Sequence, residues 1–269
     1  MSFSAAFVVA AVAAAAACGG EAGPGARSGG PRGKVTVFAA ASLQDAFREI
    51  AASFEQRYAG VEIEFNFGGS PTLRTQLEQG ARADVFASAN AEQMELARAG
   101  GVVEAESRTF ARNALVIITP ASDPGRVTAP ADLRRPGLKL VLAQPDVPAG
   151  SYARRSLAAM AADAAFGPRF EEAVLANLVS LESNVKQIVA KVELGEADAG
   201  IVYATDVTAS VAPHVRRVEI PERFNVVAEY PIALVKGRRN DAGARAFIAF
   251  VLSADGQAVL ARHGFLAAG

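Results

Sequence analysis

Residues 34–50 read Lys34-Val-Thr-Val-Phe-Ala-Ala-Ala-Ser-Leu-Gln-Asp-Ala-Phe-Arg-Glu-Ile50, and the pattern changes period in the middle. The run from Lys34 to Ala39 is short, apolar and rich in β-branched residues, which predicts a buried strand. From Leu43 onward the apolar residues Leu43, Phe47, Ile50, Phe54 and Tyr58 recur at spacings of three and four, which predicts an amphipathic helix that Gly60 ends. Ser42 stands at the switch, and Asp45 three residues later completes a capping-box pattern.

The same grammar continues outward. Val61–Phe67 reads as a strand, Pro71–Gly80 as a helix, Asp84–Ser88 as a strand, Glu92–Ala99 as a helix and Ala114–Thr119 as a strand. Strand and helix in alternation predict an α/β fold with a mainly parallel sheet flanked by helices. Pro120–Pro130 is polar and proline-rich and reads as the crossing into a second lobe. That lobe repeats the alternation, with strand Leu138–Ala143, a helix from about Ala149, a helix near 168–177, helix Val185–Leu194 and strand Ala199–Tyr203. Asn225–Val235 reads as a strand pair or one long strand that returns the chain. Helices at about 240–253 and 255–263 then close the first lobe. The expected division is lobe 1 at 34–119 plus 231–269 and lobe 2 at 120–230.

The residues before this body read as an export signal. Positions 1–17 carry no charge and run through an apolar stretch too short to span a bilayer comfortably. Ala15-Ala-Ala-Cys18-Gly19 resembles a bacterial lipobox, so residues 1–18 are expected to be a signal peptide with Cys18 as the lipidated residue. Residues 19–33, rich in Gly, Pro and Ala, read as a flexible tether. The expected location is therefore periplasmic or extracytoplasmic, held to the membrane through a lipid anchor only.

Composition narrows the function. The formal net charge of −1 argues against a nucleic-acid partner, which calls for a positive excess. With one Cys, neither an internal disulfide nor a Cys-based zinc site is possible, and the two histidines, His214 and His263, sit in no ligand motif. A serine nucleophile needs a nearby base, and no setting for one appears. No enzyme is expected.

Four helix starts carry the polar chemistry: around Ser42, around Gly68-Gly69-Ser70-Pro71, around Val147-Pro148-Ala149-Gly150 and around Ser183-Asn184-Val185. A helix N-terminus presents free N–H groups and about half a positive charge, so it attracts anions without Lys or Arg. In an α/β sheet such starts lie at the carboxyl ends of strands, where ligands bind. Ordinary capping accounts for any one of them taken singly. Arg74 is expected to pair with Glu78, Asp84 to brace a loop and Asp206 to orient backbone. Tyr152 is a second candidate hydroxyl donor.

The segments KVTVFAAASLQDAF, FNFGGSPTLRTQLEQGARADVFASA, DVPAGSYARRSL, SNVKQIVAKVELGEADAGIVYATD and EYPIAL resemble, in order, the periplasmic molybdate-binding proteins of ABC transporters. The resemblance implies a two-lobed type II periplasmic-binding-protein fold, a monomer that holds molybdate or tungstate between its lobes by hydrogen bonds and passes it to an ABC permease. It places oxyanion-binding roles on Ser42, Ser70 and Tyr203 through their hydroxyls, and on Ala149 and Val185 through their backbone N–H groups. It implies no cofactor; metal enters only as the oxyanion. Sulfate, phosphate, an organic acid or a role as a non-transporting sensor are the alternatives.

Overall fold

The computed structural model describes residues 1–2 and 30–269. Residues 3–18 of the expected signal peptide, Cys18 included, and most of the expected tether lie outside the described residues. Among the described residues no single helix is long and apolar enough to cross a membrane.

The opening strand and helix form where the period changes. β1 (Gly33–Ala40) runs into a 3-10 turn at Ala41–Leu43 and then α1 (Gln44–Arg57). β2 (Val61–Gly68), α2 (Ser70–Glu78), β3 (Val85–Ala87) and α3 (Ala91–Ala99) follow, then β4 (Val103–Asn113) and β5 (Leu115–Pro120). The second half holds β6 (Leu140–Ala143), α4 (Pro148–Ala161), α5 (Phe170–Leu175), β7 (Leu178–Glu182), α6 (Val185–Glu193), β8 (Ala199–Tyr203) and β9 (Val215–Glu219). β10 (Ala228–Val235), α7 (Asp241–Leu252) and α8 (Ala254–Arg262) end the chain.

The strands make two five-stranded sheets, ordered β2-β1-β3-β10-β4 and β7-β6-β8-β5-β9. In the first, β1 pairs parallel with β2 and β3 while β10 pairs antiparallel with β3 and β4. In the second, β6 pairs parallel with β7 and β8 while β5 pairs antiparallel with β8 and β9. Each sheet is thus mainly parallel, with the single reversed strand at the same place in the order. The two lobes are the same plan built twice.

The crossing differs from the expectation. Leu115–Pro120 belongs to the second sheet, so the chain leaves lobe 1 at Asn113–Ala114 and not in the polar stretch 120–130. All six residues of β5 are buried, and a strand buried on both faces looks alike in either sheet; only its partners decide its lobe. The return falls between β9 and β10, which puts Ala228–Val235, Tyr230 included, in lobe 1.

Lobe 1 packs an aromatic core in which Phe47 meets Phe110 at 5.5 Å and Phe54 meets Phe247 edge-on at 5.6 Å between ring centroids. In lobe 2, Ile188, Val189 and Val192 of α6 are buried together with β6 and β8, the stripe expected of an amphipathic helix. The carboxyl ends of β1, β2, β6, β7 and β8, where helices begin, face each other across the gap between the lobes.

Candidate functional site

The five residues singled out in the sequence come together. Ser42 lies in the turn after β1, Ser70 opens α2, Ala149 is the second residue of α4, Val185 opens α6 and Tyr203 ends β8. All five line one cavity between the lobes. Wider grooves beside Phe170 and beside Arg82 open elsewhere and contain none of these residues.

Each donor is freed by a local hydrogen bond. Ser70 Oγ accepts the Ala89 N–H at 3.1 Å, which leaves its hydrogen for the cavity. Ser42 Oγ is 3.0 Å from Tyr230 Oη. At the head of α4 the first intrahelical bond runs from the Ser151 N–H to the Val147 carbonyl at 3.0 Å, so the Ala149 N–H has no acceptor within the helix. Pro148 occupies the first helical position, where a missing N–H is harmless. Asn184 caps α6 by accepting the Gln187 N–H at 3.3 Å, two positions beyond Val185, and the Val185 N–H stays free.

Tyr203 is the most telling member. It is 1% exposed, and its hydroxyl has no hydrogen-bond partner in normal geometry. Buried hydroxyls are rarely left unpaired, so an orphan aimed into a cavity marks the place of a ligand atom. Burial, then the neighbouring Tyr230 and Tyr152 hydroxyls and Asp206, hold its phenol well above the usual range. It is a permanent donor.

Among the described residues that line the cavity, none carries a charged side chain. Charge stands just behind it. Lys186 Nζ is 2.8 Å from Asp45 Oδ2, on the opposite lobe, and 3.7 Å from Asp206 Oδ1. Asp206 Oδ2 accepts the Tyr203 N–H at 3.1 Å and so positions the tyrosine, the orienting role expected for it. Asp206 is fully buried, and burial pushes its carboxyl up to about 6 against the opposing pull of Lys186. The assembly presents hydroxyl and amide hydrogens, and no carboxylate, to whatever enters.

The other weighed residues fall outside. Arg74 binds Glu78 at 2.5 Å and Gln93 at 3.0 Å. Asp84 braces a loop by accepting from the Thr36, Arg239 and Asn240 N–H groups. Tyr152 is buried but does not line the cavity. His263 lies 2.7 Å from Glu49. Among the described residues no group of three or more His, Cys, Asp or Glu side chains stands ready to hold a metal ion.

Sequence reasoning missed the layer behind the donors: Tyr230, Asn113 and Thr205, joined at 2.8 to 3.4 Å. Tyr230 sits in the segment EYPIAL and Thr205 in the segment that ends YATD, the traces of that layer in the sequence.

The model of the bacterial extracellular solute-binding protein family matches residues 35–266. The chain is 41% identical over 258 residues to the molybdate-binding protein ModA of Mycobacterium tuberculosis, covering 94% of this chain and 93% of that protein. It is 34% identical over 240 residues to the molybdate-binding protein ModA of Escherichia coli, covering 87% and 89%. The solved periplasmic molybdate-binding protein of Azotobacter vinelandii shares its fold, with a TM-score of 0.74 at 18% identity over 86% of this chain and 98% of that one. With its twice-built α/β body of the type II periplasmic-binding plan, the chain belongs to the bacterial extracellular solute-binding protein family, and it is a binding protein, not an enzyme.

Proposed function

We propose that the protein captures molybdate, or the near-isosteric tungstate, between its lobes and delivers it to the permease of an ABC importer. The observation that carries this reading is the orphaned Tyr203 hydroxyl in a cavity without charged side chains, where the hydrogens of Ser42 and Ser70 and the free N–H groups of Ala149 and Val185 also converge. Five neutral donors suit a small tetrahedral oxyanion that bears no proton and must be released again. Hydrogen phosphate would need an acceptor for its own hydrogen. Sulfate is smaller and would leave donors out of reach. The identity of 41% to a protein named for molybdate binding supports the choice of ligand.

One chain supplies all five lining positions, and we read the protein as acting as a monomer. Cys18 carries the lipid that holds it at the membrane surface; the mass of the mature N-terminal peptide tests this, and an unmodified Cys18 refutes it.

Calorimetric titration tests the ligand. Molybdate and tungstate bind tightly, sulfate far more weakly and phosphate not at all. Sulfate binding as tight as molybdate binding overturns the assignment.

A further inference from the structure

The hydrogen bonds behind Ser42 run in one direction when each buried hydrogen is given to an acceptor within bonding geometry. They begin at the Ala114 backbone N–H, which can only donate and which meets Asn113 Oδ1 at 3.0 Å. That bond fixes the amide, because the other terminal atom of Asn113 must then be its NH₂. The NH₂ donates to Thr205 Oγ1 at 2.8 Å and, in a longer bond, to Tyr230 Oη at 3.4 Å. The Tyr230 oxygen is thereby an acceptor toward Asn113; of the two other hydroxyls beside it, Tyr203 Oη stands outside normal hydrogen-bond geometry, so the Tyr230 hydrogen goes to Ser42 Oγ at 3.0 Å. Ser42 accepts in turn, and its hydrogen is left for the cavity. Asn113 and Tyr230 are fully buried, so water does not scramble the order.

The place of Asn113 adds to this. It is the last residue of β4, immediately before the chain crosses to lobe 2. Of its two side-chain partners, Tyr230 stands on β10 of lobe 1 and Thr205 follows β8 of lobe 2. One amide therefore touches both lobes at the crossing and sets the hydroxyl order of the site.

We propose that Tyr230 and Asn113 are positioning residues that act through Ser42: they make its hydroxyl an obligate donor toward the bound anion and tie that direction to the lobe crossing. The proposal rests on the oxyanion reading given above. With Tyr230 held on one lone pair, Ser42 presents its hydrogen to the cavity, so a fully deprotonated oxyanion is favoured there over one that must itself donate.

A double-mutant cycle read by molybdate titration, with thermal melts on every variant, tests it. Tyr230→Phe removes the directing hydrogen and frees the Ser42 rotor, which weakens binding about 2- to 10-fold. Asn113→Asp reverses the order. Its carboxylate takes the Tyr230 hydrogen, the Tyr230 oxygen accepts from Ser42, and the anion loses a donor, a loss of about 10-fold or more. The new carboxylate also repels the anion, and the double variant separates the two effects. If the relay exists, Asn113→Asp weakens binding much less when Tyr230 is Phe than when it is Tyr. Losses that simply multiply overturn the relay. Should Asn113→Asp fail to melt cooperatively, Asn113→Ala takes its place: with the relay, Asn113→Ala/Tyr230→Phe binds like Tyr230→Phe alone, and multiplied losses again overturn it. Wild-type protein that ignores molybdate refutes the functional reading and the relay with it; wild-type binding with multiplying losses refutes the relay alone.

Discussion

An unpaired hydroxyl sealed in a protein is a stored expense, and Tyr203 carries one. Tyr203→Phe deletes that oxygen and leaves the ring packing alone. The expected result is a split: molybdate affinity falls by about 1–3 kcal/mol, because a buried anion loses a donor, while the melting temperature of the ligand-free protein stays level or rises. Titration and a melt on the same sample check both halves, and unchanged affinity removes Tyr203 from the site. Asp206, directly behind, gives a pH signature. Its folded pKa of about 6 lies above the 3.8 of a free Asp, so the folded state holds its proton more tightly. Its contribution is favourable below pH 3.8 and is lost as the pH rises through 6, a swing of about 3 kcal/mol. Asp206→Asn keeps an acceptor for the Tyr203 N–H and abolishes the titration. Its stability, measured by denaturant unfolding, therefore gains on wild type between about pH 4 and pH 6.5. Carboxyls held low, such as Glu49 and Asp132, slope the other way in both proteins and cancel in the difference. Parallel curves would show that Asp206 does not titrate there.

Elements were legible in proportion to how strongly their own residues pattern them. The helices α1 and α6 and the strands β1 and β8 announce themselves through periods of 3.6 or short apolar runs, and the donors Ser42, Val185 and Tyr203 are legible because they sit where such a period begins or ends. β4 and β9 are edge strands with charged, exposed residues such as Glu106, Arg108, Arg216 and Arg217, and a half-solvated polar run carries no strand signal. β5 was legible as a strand and not as a member of lobe 2, since its lobe is decided by pairing with β8 and β9, about 80 to 100 residues later. The layer behind the site fails for the same reason at finer grain. Ser42 and Tyr230 are 188 residues apart and Asn113 and Tyr230 are 117 apart, and no local pattern encodes those meetings.

The molecule as a whole is a pair of lobes joined at two crossings, Asn113–Ala114 and the segment between β9 and β10, braced where Asn225 exchanges two hydrogen bonds with Leu115 at 2.8 and 3.0 Å. A double connection of this kind restricts the lobes to bending about one line. In the present form they touch: Gln93 Nε2 donates to the Asp146 carbonyl at 3.3 Å, and Lys186 reaches Asp45. The lysine pair is partly exposed, so it contributes only about 0.2–1 kcal/mol, and one long polar contact adds little. On the proposed function, an anion bound by donors from both lobes supplies most of what holds the closed form, since a ligand shifts an equilibrium only by its preference for one state. Gly69 offers a clean test. Its φ of −64° suits any residue, so Ala there does not strain lobe 1. In the closed form, however, an added Cβ would stand 2.2 Å from the Ser183 carbonyl oxygen on lobe 2, a backbone atom that cannot swing aside. On its own lobe the nearest atom to that Cβ is Thr72 Oγ1 at 3.7 Å, so Gly69→Ala should leave the ligand-free melt within about 0.5 kcal/mol of wild type. It should weaken molybdate binding at least about 10-fold, through lost closure. Small-angle scattering should show the wild type contracting on molybdate addition and the variant not. If the variant contracts and binds as tightly as wild type, the Gly69–Ser183 contact is not a condition of closure, and the donors of lobe 1 reach the anion without it.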